Sequence, residues 1–416
     1  MSENLSGYLQ AAAVFFAFVL VLLVTMETFA EQTNNQIETI RFATFNAALN
    51  RANEAELITD LSTPDNAQAK VIAEIIQHVN PDILLINEFD FDEDGRAANL
   101  FKQNYLAVSQ NGAGPVDYPY VYVAPSNTGV PSGKDLDNSG SIGGPNDAFG
   151  YGSFPGQFGM VIYAKYPIVK HEIKTFQTFL WKDMPDALLP GNPATSEPMD
   201  WYSADALEIF RLSSKSHWDV PVAIGNAVVH VLASHPTPPV FDGAEDRNGT
   251  RNHDEIRFWA DYIKPGKRGY MYDDDGIYGG LQEDQYFVIM GDLNADPLDG
   301  DSTNNPVRLL LNHPLVNTEI TPASEGGIEA ASRDGQANGS HLGDPRFDTA
   351  DFADFAPGNL RTDYVLPSKQ LKIKNAGVFW PVSSDPLFSL IGTFPSPGSD
   401  HRLVWVDINV PQVHKK

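Results

Sequence analysis

Residues able to perform acid–base or metal chemistry stand at the ends of apolar segments along this chain of 416 residues. The segments "TFN", "INE", "LASH", "VIMGDLN", "RTDY" and "GSDH" supply Asn46, Glu88, His235, Asp292, Asn294, Asp363, Asp400 and His401. Carboxylate and amide oxygens suit hard divalent cations, and an imidazole beside a carboxylate can hold a proton near neutral pH. Any one of these residues alone is more often a turn former or a helix cap. Their chemistry therefore depends on whether the fold brings them together.

The elements that must position these residues are predicted by hydrophobic periodicity. Strands are predicted in "IRFATFNA", "DILLINEF", "GMVIYAKY", "VVHVLASH", "YFVIMGD", "TDYVLPS" and "RLVWVDI". A helix is predicted from about Asn66 to Val79, and a second in "NHDEIRFWADYIK", where Ile256, Trp259 and Ile263 share one face. The polar residues stand at one end or the other of these strands, where loops held by a rigid sheet usually carry function.

Long stretches rich in Gly, Pro, Asp and Asn separate these elements at residues 111–156, 184–203, 264–284 and 318–358. Loops of this length in a compact domain are usually functional. No internal repeat and no break in composition marks a second domain. The sequence therefore predicts one α/β domain with long loop insertions, over residues 31–416.

The chain is strongly acidic, with 28 Lys and Arg against 54 Asp and Glu and a formal net charge of −26. Hydrophobic residues make up 42% and charged residues 20%, which is enough apolar content for a large core. An acidic surface repels polyanions unless cations intervene, so nucleic acid is disfavoured as a partner without being excluded. The absence of cysteine excludes disulfides, thiolate catalysis and zinc sites built from cysteine.

The pattern of the first thirty residues predicts the cellular compartment of the protein. The uncharged segment "AAAVFFAFVLVLLV" covers residues 11–24, and Thr28 and Ala30 form a small-x-small cleavage site before Glu31. This pattern is typical of a signal peptide over residues 1–30, although the first basic residue is Arg41 and the usual positive N-terminal region is missing. The alternative is an uncleaved membrane anchor. In either case we expect residues 31–416 to lie outside the cytoplasm, as a periplasmic, extracellular or membrane-anchored domain.

Taken together, these motifs resemble the endonuclease/exonuclease/phosphatase superfamily, which shares the fold of pancreatic DNase I. The most specific pieces are "GDLNADP", "TDYVLPS" and "GSDH", supported by "FN", "PDILLINE" and "QFGMVIYAKYPI". The resemblance covers roughly Ile40 to Val410. It implies a DNase I-like four-layer sandwich, in which two mixed β-sheets pack face to face between helices and the site lies at one end.

The resemblance also implies a metal-dependent phosphoester hydrolase that uses Mg²⁺ or Mn²⁺. Asn46 and Glu88 would hold the cation, with Asp400 near or on it. Among catalytic residues, Asp292 would orient or deprotonate the attacking water, and Asn294 would hydrogen-bond the phosphate. His401 would contact a non-bridging oxygen while Asp363 fixes its ring, and His235 would serve the phosphate or the leaving group. Whether Asp292 or a histidine takes the proton stays open.

The core motifs do not select the substrate. We expect small organic phosphomonoesters or phosphodiesters, with a secreted endonuclease as the alternative and a sphingomyelinase-like phospholipid hydrolase or a non-catalytic binding protein as further ones. None of the core residues is missing, which favours an enzyme. Arg247, Arg251 and Arg361 are candidate phosphate ligands, or they only offset nearby acidic residues. No obligate protein partner is inferred.

Two acidic segments raise the question of a structural Ca²⁺. "DFDEDG" carries Asp90, Asp92 and Asp94 at alternate positions before a glycine, like the first half of an EF-hand loop. "DLDNSG", with Asp135 and Asp137, is a weaker version. Position twelve of the first segment is Phe101 instead of Glu, so no complete EF-hand is present. The alternative is a solvated acidic turn.

Overall fold

The computed structural model describes residues 37–195 and 197–411. The predicted signal peptide or anchor at residues 1–30 lies outside the described residues. Among the described helices, none is both long and apolar enough to cross a membrane.

The described chain contains thirteen strands and seven α-helices. The strands are β1 (Ile37–Leu49), β2 (Ile83–Phe89), β3 (Tyr120–Tyr122), β4 (Met160–Ala164), β5 (Lys174–Thr175), β6 (His217–Ile224), β7 (Ala227–Ser234), β8 (Tyr286–Asp292), β9 (Ala350–Asp351), β10 (Asn359–Leu360), β11 (Asp363–Pro367), β12 (Lys372–Val378) and β13 (Val404–Pro411). The helices are α1 (Glu56–Leu61), α2 (Ala67–Val79), α3 (Arg96–Phe101), α4 (Ala204–Leu207), α5 (Arg247–Tyr262), α6 (Arg308–Leu311) and α7 (Glu325–Asp334).

Two mixed sheets form the centre of the molecule. The first has six strands in the order β12-β13-β1-β2-β4-β3, and the second has five in the order β11-β8-β7-β6-β5. Each contains one parallel pair, β1 with β2 and β7 with β8, among antiparallel neighbours. A separate ribbon pairs β9 with β10. The parallel pairs bring the ends of β1 and β2, and those of β7 and β8, to the same edge of each sheet.

Alternation of side chains along the strands builds three apolar layers. In β1, Phe42 faces the layer between the sheets, where it joins Val231 and Val406. Its neighbour Ala43 faces the opposite way, toward the layer that α2 covers. On the far side, α5 packs Ile256 and Trp259 against the second sheet. The result is a helix–sheet–sheet–helix sandwich, which confirms the predicted fold class.

One strand of the second sheet, β6, is absent from the sequence prediction. It contains Pro221, and proline cannot donate to a sheet ladder, so this segment does not read as a central strand. In the structure Pro221 lies opposite His230 of β7, and its carbonyl accepts a hydrogen bond of 2.9 Å from Val169 N.

The predicted loop at residues 318–358 contains the helix α7. Ser324 Oγ caps this helix by accepting a hydrogen bond of 3.1 Å from Gly327 N. Gly326 and Gly327 disfavour a helix in isolation. Both pack tightly, because a Cβ would lie 2.0 Å from the Trp380 carbonyl oxygen at Gly326 and 2.3 Å from the Pro345 carbonyl oxygen at Gly327. Tertiary packing therefore overrides the local propensity.

Candidate functional site

The side-chain amide of Asn46 helps to join the two sheets at the centre of the site. Asn46 lies in β1 beside β2, which carries Glu88. Asn46 Nδ2 donates a hydrogen bond of 3.0 Å to Glu88 Oε1 and another of 3.0 Å to Asp292 Oδ2. Asp292 is the last residue of β8 and lies opposite Asp363 of β11. Residues 246 positions apart are thus in direct contact.

Two histidines converge on the same carboxylate oxygen. Asp292 Oδ2 lies 3.4 Å from His235 Nε2 and 3.6 Å from His401 Nε2. His401 Nδ1 also donates a hydrogen bond of 2.9 Å to Asp363 Oδ2. By contrast, His235 Nδ1 has no hydrogen-bond partner among the described residues. Because carboxylates face both of its nitrogens, His401 is built to carry a proton.

The charges of this group perturb one another strongly because they are buried. Burial alone would lower the pKa of His401, but the carboxylates of Asp363 and Asp292 outweigh it and raise the pKa well above the usual value. Burial would raise the pKa of Asp292, but His401 and His235 lower it below its usual range. Burial raises the pKa of Asp363, and the charge of Asp292 adds to that effect. The arrangement therefore holds an imidazolium between two carboxyl groups.

Thr349 is a supporting residue that the sequence reasoning missed. Its hydroxyl donates a hydrogen bond of 2.8 Å to Asp363 Oδ2 and accepts one of 3.0 Å from Asp363 N. The next residue, Ala350, forms a β-bridge with His401, and the ring of Phe352 stands edge-on to the imidazole at 5.3 Å. Segment 349–352 therefore holds the Asp363–His401 pair in place. A small polar residue in a loop gives no signal of this kind.

Asn294 connects Asp292 to the loop that follows His235. Its backbone N donates a hydrogen bond of 2.9 Å to Asp292 Oδ1, and its Nδ2 donates one of 3.1 Å to Pro236 O. The residue has φ = 52°, a left-handed conformation that asparagine adopts more readily than most residues. Its proposed contact with a phosphate stays a prediction.

The three predicted cation ligands, Asn46, Glu88 and Asp400, differ in their burial and in the contacts that they already make. Half-buried Glu88 accepts the bond from Asn46 at Oε1, and no described residue donates to its Oε2. Asn46 turns its nitrogen toward the carboxylates, and its Oδ1 accepts a hydrogen bond of 3.2 Å from Ala48 N. Half-buried Asp400 adds its charge to those that raise the pKa of His401. The side-chain atoms that remain available to a metal are negatively charged carboxylate oxygens. Ligands of this kind suit a hard divalent cation.

A second group of residues in the site also has side-chain atoms close enough together to hold a metal ion. One ligand atom from each of Asp292, Asp363 and His401 lies within 4.8 Å of the others. The proton shared between His401 and Asp363 accounts for this closeness without an ion. Neither Glu88 nor Asp400 belongs to such a group among the described residues, so the cation site predicted at Asn46, Glu88 and Asp400 stays a prediction.

Lys215 is a further site residue that the sequence reasoning missed. It stands just before β6, whose His217 pairs with Ser234, so it lies beside the segment that carries His235. The residue is only 7% exposed, and its Nζ makes no ion pair or hydrogen bond with the described residues. Burial lowers its pKa, and the charges of Glu255, Glu88 and Asp292 oppose that shift. An ammonium group without a protein partner, on a side chain that is mostly buried, suits an anionic substrate.

The three predicted phosphate ligands have different environments. Buried Arg251 donates to the carbonyls of Leu212, Phe149 and Arg211 at 2.8, 2.5 and 3.0 Å, so the structure gives it a structural role instead. The guanidinium can stay in the core because these carbonyl oxygens accept its hydrogen bonds.

The other two arginines are less enclosed. Arg247 pairs with Glu245, which occupies its guanidinium and favours the interpretation that it offsets a local acid. Half-buried Arg361 lies with its guanidinium 4.7 Å from the ring centre of Tyr364, two residues from Asp363. Of the three, Arg361 remains the candidate for substrate contact.

The first acidic segment has a backbone role. Asp90 accepts hydrogen bonds from Arg51 N and Phe158 N at 2.7 and 3.1 Å, and burial raises its pKa to about 7. Asp92 accepts from Arg96 N and Ala97 N at the start of α3. Among the described acidic groups whose ligand atoms lie within 4.8 Å of one another, the set Asp90, Asp92 and Asp94 does not occur. Asp92 therefore caps a helix, and Asp90 fixes a loop.

The second acidic segment does converge. Asp135 and Asp137 lie with Asp147, and one carboxylate oxygen of each is within 4.8 Å of the others. Both oxygens of Asp147 already accept backbone hydrogen bonds, from Leu136 N and Gly143 N at 2.7 Å each. The Ca²⁺ prediction for Asp135 and Asp137 stays a prediction.

The chain was compared with protein families, curated proteins and solved structures. The chain matches the model of the Endonuclease/Exonuclease/phosphatase family over residues 43–401. No curated protein matches it. Similar solved structures include an endonuclease/exonuclease/phosphatase from Beutenbergia cavernae, with 16% identity and a TM-score of 0.48, covering 90% of this chain and 72% of that chain.

Two further solved structures are similar at comparable identity. Sphingomyelinase C from Streptomyces griseocarneus has 14% identity and a TM-score of 0.43, covering 89% of this chain and 99% of that chain. Truncated TDP2 from Caenorhabditis elegans has 16% identity and a TM-score of 0.37, covering 89% and 98%. Because these identities and TM-scores are low, no functional conclusion follows from them. The family match spans nearly the whole described chain, and the chain belongs to the endonuclease/exonuclease/phosphatase family.

Proposed function

We propose that this protein is a divalent-metal-dependent phosphoester hydrolase that acts on small organic phosphomonoesters or phosphodiesters. The observation that carries the proposal is the convergence of His235 Nε2, His401 Nε2 and Asn46 Nδ2 on Asp292 Oδ2. Such a constellation positions a water molecule and neutralises charge on a phosphoryl group. Bound Mg²⁺ or Mn²⁺ would supply Lewis-acid stabilisation of the phosphoryl oxygens.

Side chains of the protein have the other roles in hydrolysis. Hydrolysis joins a water oxygen to phosphorus, breaks the bond to the leaving oxygen, and moves one proton from the water to the leaving group. Because its pKa is lowered, Asp292 is a weak base, so it orients the water through a hydrogen bond. His401, held as an imidazolium by Asp363, donates a hydrogen bond to a non-bridging oxygen. Lys215, whose pKa is influenced by the charges of Glu88 and Asp292, adds a positive charge near these carboxylates.

The small number of basic side chains available to bind phosphate favours a compact substrate. A long nucleic acid draws much of its affinity from neutralising several phosphates with Lys and Arg. The net charge is −26, Arg251 is committed to backbone carbonyls, and Arg247 to Glu245. Lys215 and Arg361 can serve one or two phosphate groups. The site therefore suits a small ester better than a duplex.

The test is a substrate panel on purified protein. Phosphate or nitrophenol release from p-nitrophenyl phosphate and bis(p-nitrophenyl) phosphate is measured beside plasmid cleavage, with Mg²⁺, Mn²⁺, Ca²⁺ or chelator. Asp292→Asn serves as the inactive control and exposed Asp301→Asn as the matched surface control. We expect turnover of a small ester that chelator abolishes. Efficient plasmid cleavage with negligible turnover of small esters would replace this proposal with the endonuclease.

A phospholipid substrate is the second candidate, favoured by exposed apolar side chains on the loops of the site. Phe241, six residues after His235, is 85% exposed, and Phe355, between β9 and β10, is 79% exposed. Exposed apolar side chains of this kind suit a lipid surface. If lipid is the substrate, Phe241→Ser and Phe355→Ser should lower hydrolysis of sphingomyelin in vesicles and leave turnover of soluble esters unchanged. Equal effects on both substrates would reject this candidate.

We also propose that the protein is exported, on the strength of the apolar segment at residues 11–24 and the small residues Thr28 and Ala30. Expression of the whole chain followed by cell fractionation and N-terminal sequencing tests this. Recovery outside the cytoplasm with Glu31 as the first residue supports a cleaved signal peptide, and retention in the membrane with an intact N-terminus supports an anchor. Recovery in the cytoplasm would contradict both.

A further inference from the structure

A second group of acidic residues lies behind the catalytic histidine and has no part in the chemistry described above. Asp334 ends α7, Asp351 ends β9, and Asp354 follows in the loop toward β10. One carboxylate oxygen from each lies within 4.8 Å of the other two. We call Asp334, Asp351, Asp354 and the neighbouring Asn359 the Asp351 cluster.

Several buried polar atoms in this cluster have no partner. Asp351 is 0% exposed, and its Oδ2 accepts a hydrogen bond of 2.8 Å from Arg402 Nη2 while its Oδ1 accepts none from the described residues. Asp354 Oδ1 and both polar side-chain atoms of Asn359 are likewise buried and unpaired among the described residues. Asn359 lies opposite Asp351 in the β9–β10 ribbon, so their side chains share one face. Buried oxygens in native proteins are almost always satisfied, which indicates that something binds here.

The charges of the cluster favour a cation over an anion. Arg333 donates to both oxygens of Asp334 from Nε and Nη2, at 2.6 and 2.7 Å. Arg402 bonds one oxygen of Asp351. Two guanidinium groups thus face three carboxylates, and the unpaired oxygens of Asp351 and Asp354 carry the excess negative charge. A positive ion would relieve the mutual repulsion of these carboxylates.

We propose that the Asp351 cluster binds one Ca²⁺ ion through the carboxylates of Asp334, Asp351 and Asp354 and the side-chain oxygen of Asn359. The cluster offers oxygen ligands from four separate segments: α7, β9, the loop that follows it, and β10. Ca²⁺ accepts six to eight oxygens in flexible geometry, with water completing the shell, whereas Mg²⁺ demands a near-ideal octahedron. A set of oxygen ligands spread over four segments therefore suits Ca²⁺ better than Mg²⁺.

The position of the site gives the ion a role in organising the catalytic histidine. Asp351 N donates a hydrogen bond of 2.7 Å to Asp400 O, and Ala350 bridges to His401. Phe352 packs against the His401 ring, and Arg402, the next residue along the chain, bonds Asp351 directly. An ion at the Asp351 cluster would fix segment 349–360 against the segment that carries His401 and precedes β13. It is a positioning site, separate from the cation site predicted beside Glu88.

The experiment is a count of bound Ca²⁺. Chelator-treated whole protein is dialysed to equilibrium against Ca²⁺ for four forms: the unmodified chain, Asp354→Asn, Glu88→Gln and the exposed control Asp301→Asn. We expect Asp354→Asn to bind one ion fewer, or to bind that ion at least about tenfold more weakly, because Ca²⁺ affinity depends on the number of charged ligands. Glu88→Gln and Asp301→Asn should keep the ion. Identical stoichiometry and affinity in Asp354→Asn and the unmodified chain would overturn the proposal.

A second readout guards against misfolding of a single variant and requires no activity. Hydrogen exchange of segment 349–360 should slow when Ca²⁺ is added to the unmodified chain, and should not change in Asp354→Asn or in Asp334→Asn. Ca²⁺-dependent protection that persists in both variants would place the ion elsewhere. Because Asp137→Asn removes a ligand from the other acidic group, it should leave this protection intact. Loss of protection in Asp137→Asn would also refute the assignment.

Discussion

The hydrogen bond between Asp363 and His401 gives the sharpest test of the proposed chemistry. Asp363 Oδ2 accepts from His401 Nδ1 at 2.9 Å and from Thr349 Oγ1 at 2.8 Å, while Asp363 Oδ1 has no partner among the described residues. In Asp363→Asn the amide nitrogen can occupy the Oδ1 position, which leaves an oxygen for His401 and Thr349. The substitution therefore removes the negative charge and preserves the geometry.

The magnitude follows from the loss of that charge. Two unit charges about 4 Å apart interact by about 4 kcal/mol at an effective dielectric constant of about 20. The amide oxygen retains part of this as a neutral hydrogen bond, so about 3 kcal/mol of imidazolium stabilisation is lost. At about 1.4 kcal/mol per factor of ten, kcat should fall about a hundredfold. Asp363→Ala, which also removes the oxygen, should lose more.

The assay is a double-mutant cycle on the preferred soluble ester, with kcat measured for Asp363→Asn, His401→Ala and both together. If Asp363 acts only through His401, the double variant should be no slower than His401→Ala. Additive losses would show that the two residues do not share one role. Activity of Asp363→Asn within a few-fold of the unmodified chain would refute the electrostatic reasoning.

Three further predictions concern the metal, the substrate and pH. Glu88→Gln should lower kcat/KM by about a hundredfold or more, partly recovered by excess Mg²⁺, and full activity in chelator would contradict it. Lys215→Met should lower kcat/KM by about ten- to a hundredfold, with partial retention in Lys215→Arg, because a charge-assisted contact is lost; unchanged kinetics would exclude substrate contact. Burial and the charges of Asp296 and Asp299 raise the pKa of Asp348 to about 8. The folded state therefore binds this proton more tightly than the unfolded state, and the contribution to stability is lost as pH rises toward that value. Asp348→Asn should raise Tm at pH 8 more than at pH 5, and a pH-independent difference would reject this account.

Local patterns in the sequence were sufficient to predict the family, the fold class and the positions of the central polar residues along the chain. Apolar segments that end near Asn46, Glu88 and Asp292, and one that begins after Asp363, indicate strands. A strand buried on both faces needs a continuous apolar run, and its ends are where polar side chains become accessible. The helix predicted from about Asn66 to Val79 is found as α2, with Asn66 as its cap. These features depend on residues close together along the chain.

What only the tertiary structure decided is which charged groups are left without partners. Arg251 and Lys215 are both isolated basic residues in the sequence, yet carbonyls from distant segments satisfy Arg251, and no described residue pairs with Lys215 Nζ. The cluster around Asp351 likewise forms from the end of a helix and a short ribbon that no periodicity reveals. Burial and pairing arise from contacts between residues far apart along the chain. Those contacts set the pKa values and the ligand preferences, so the chemistry of a polar residue is fixed only when the chain has folded.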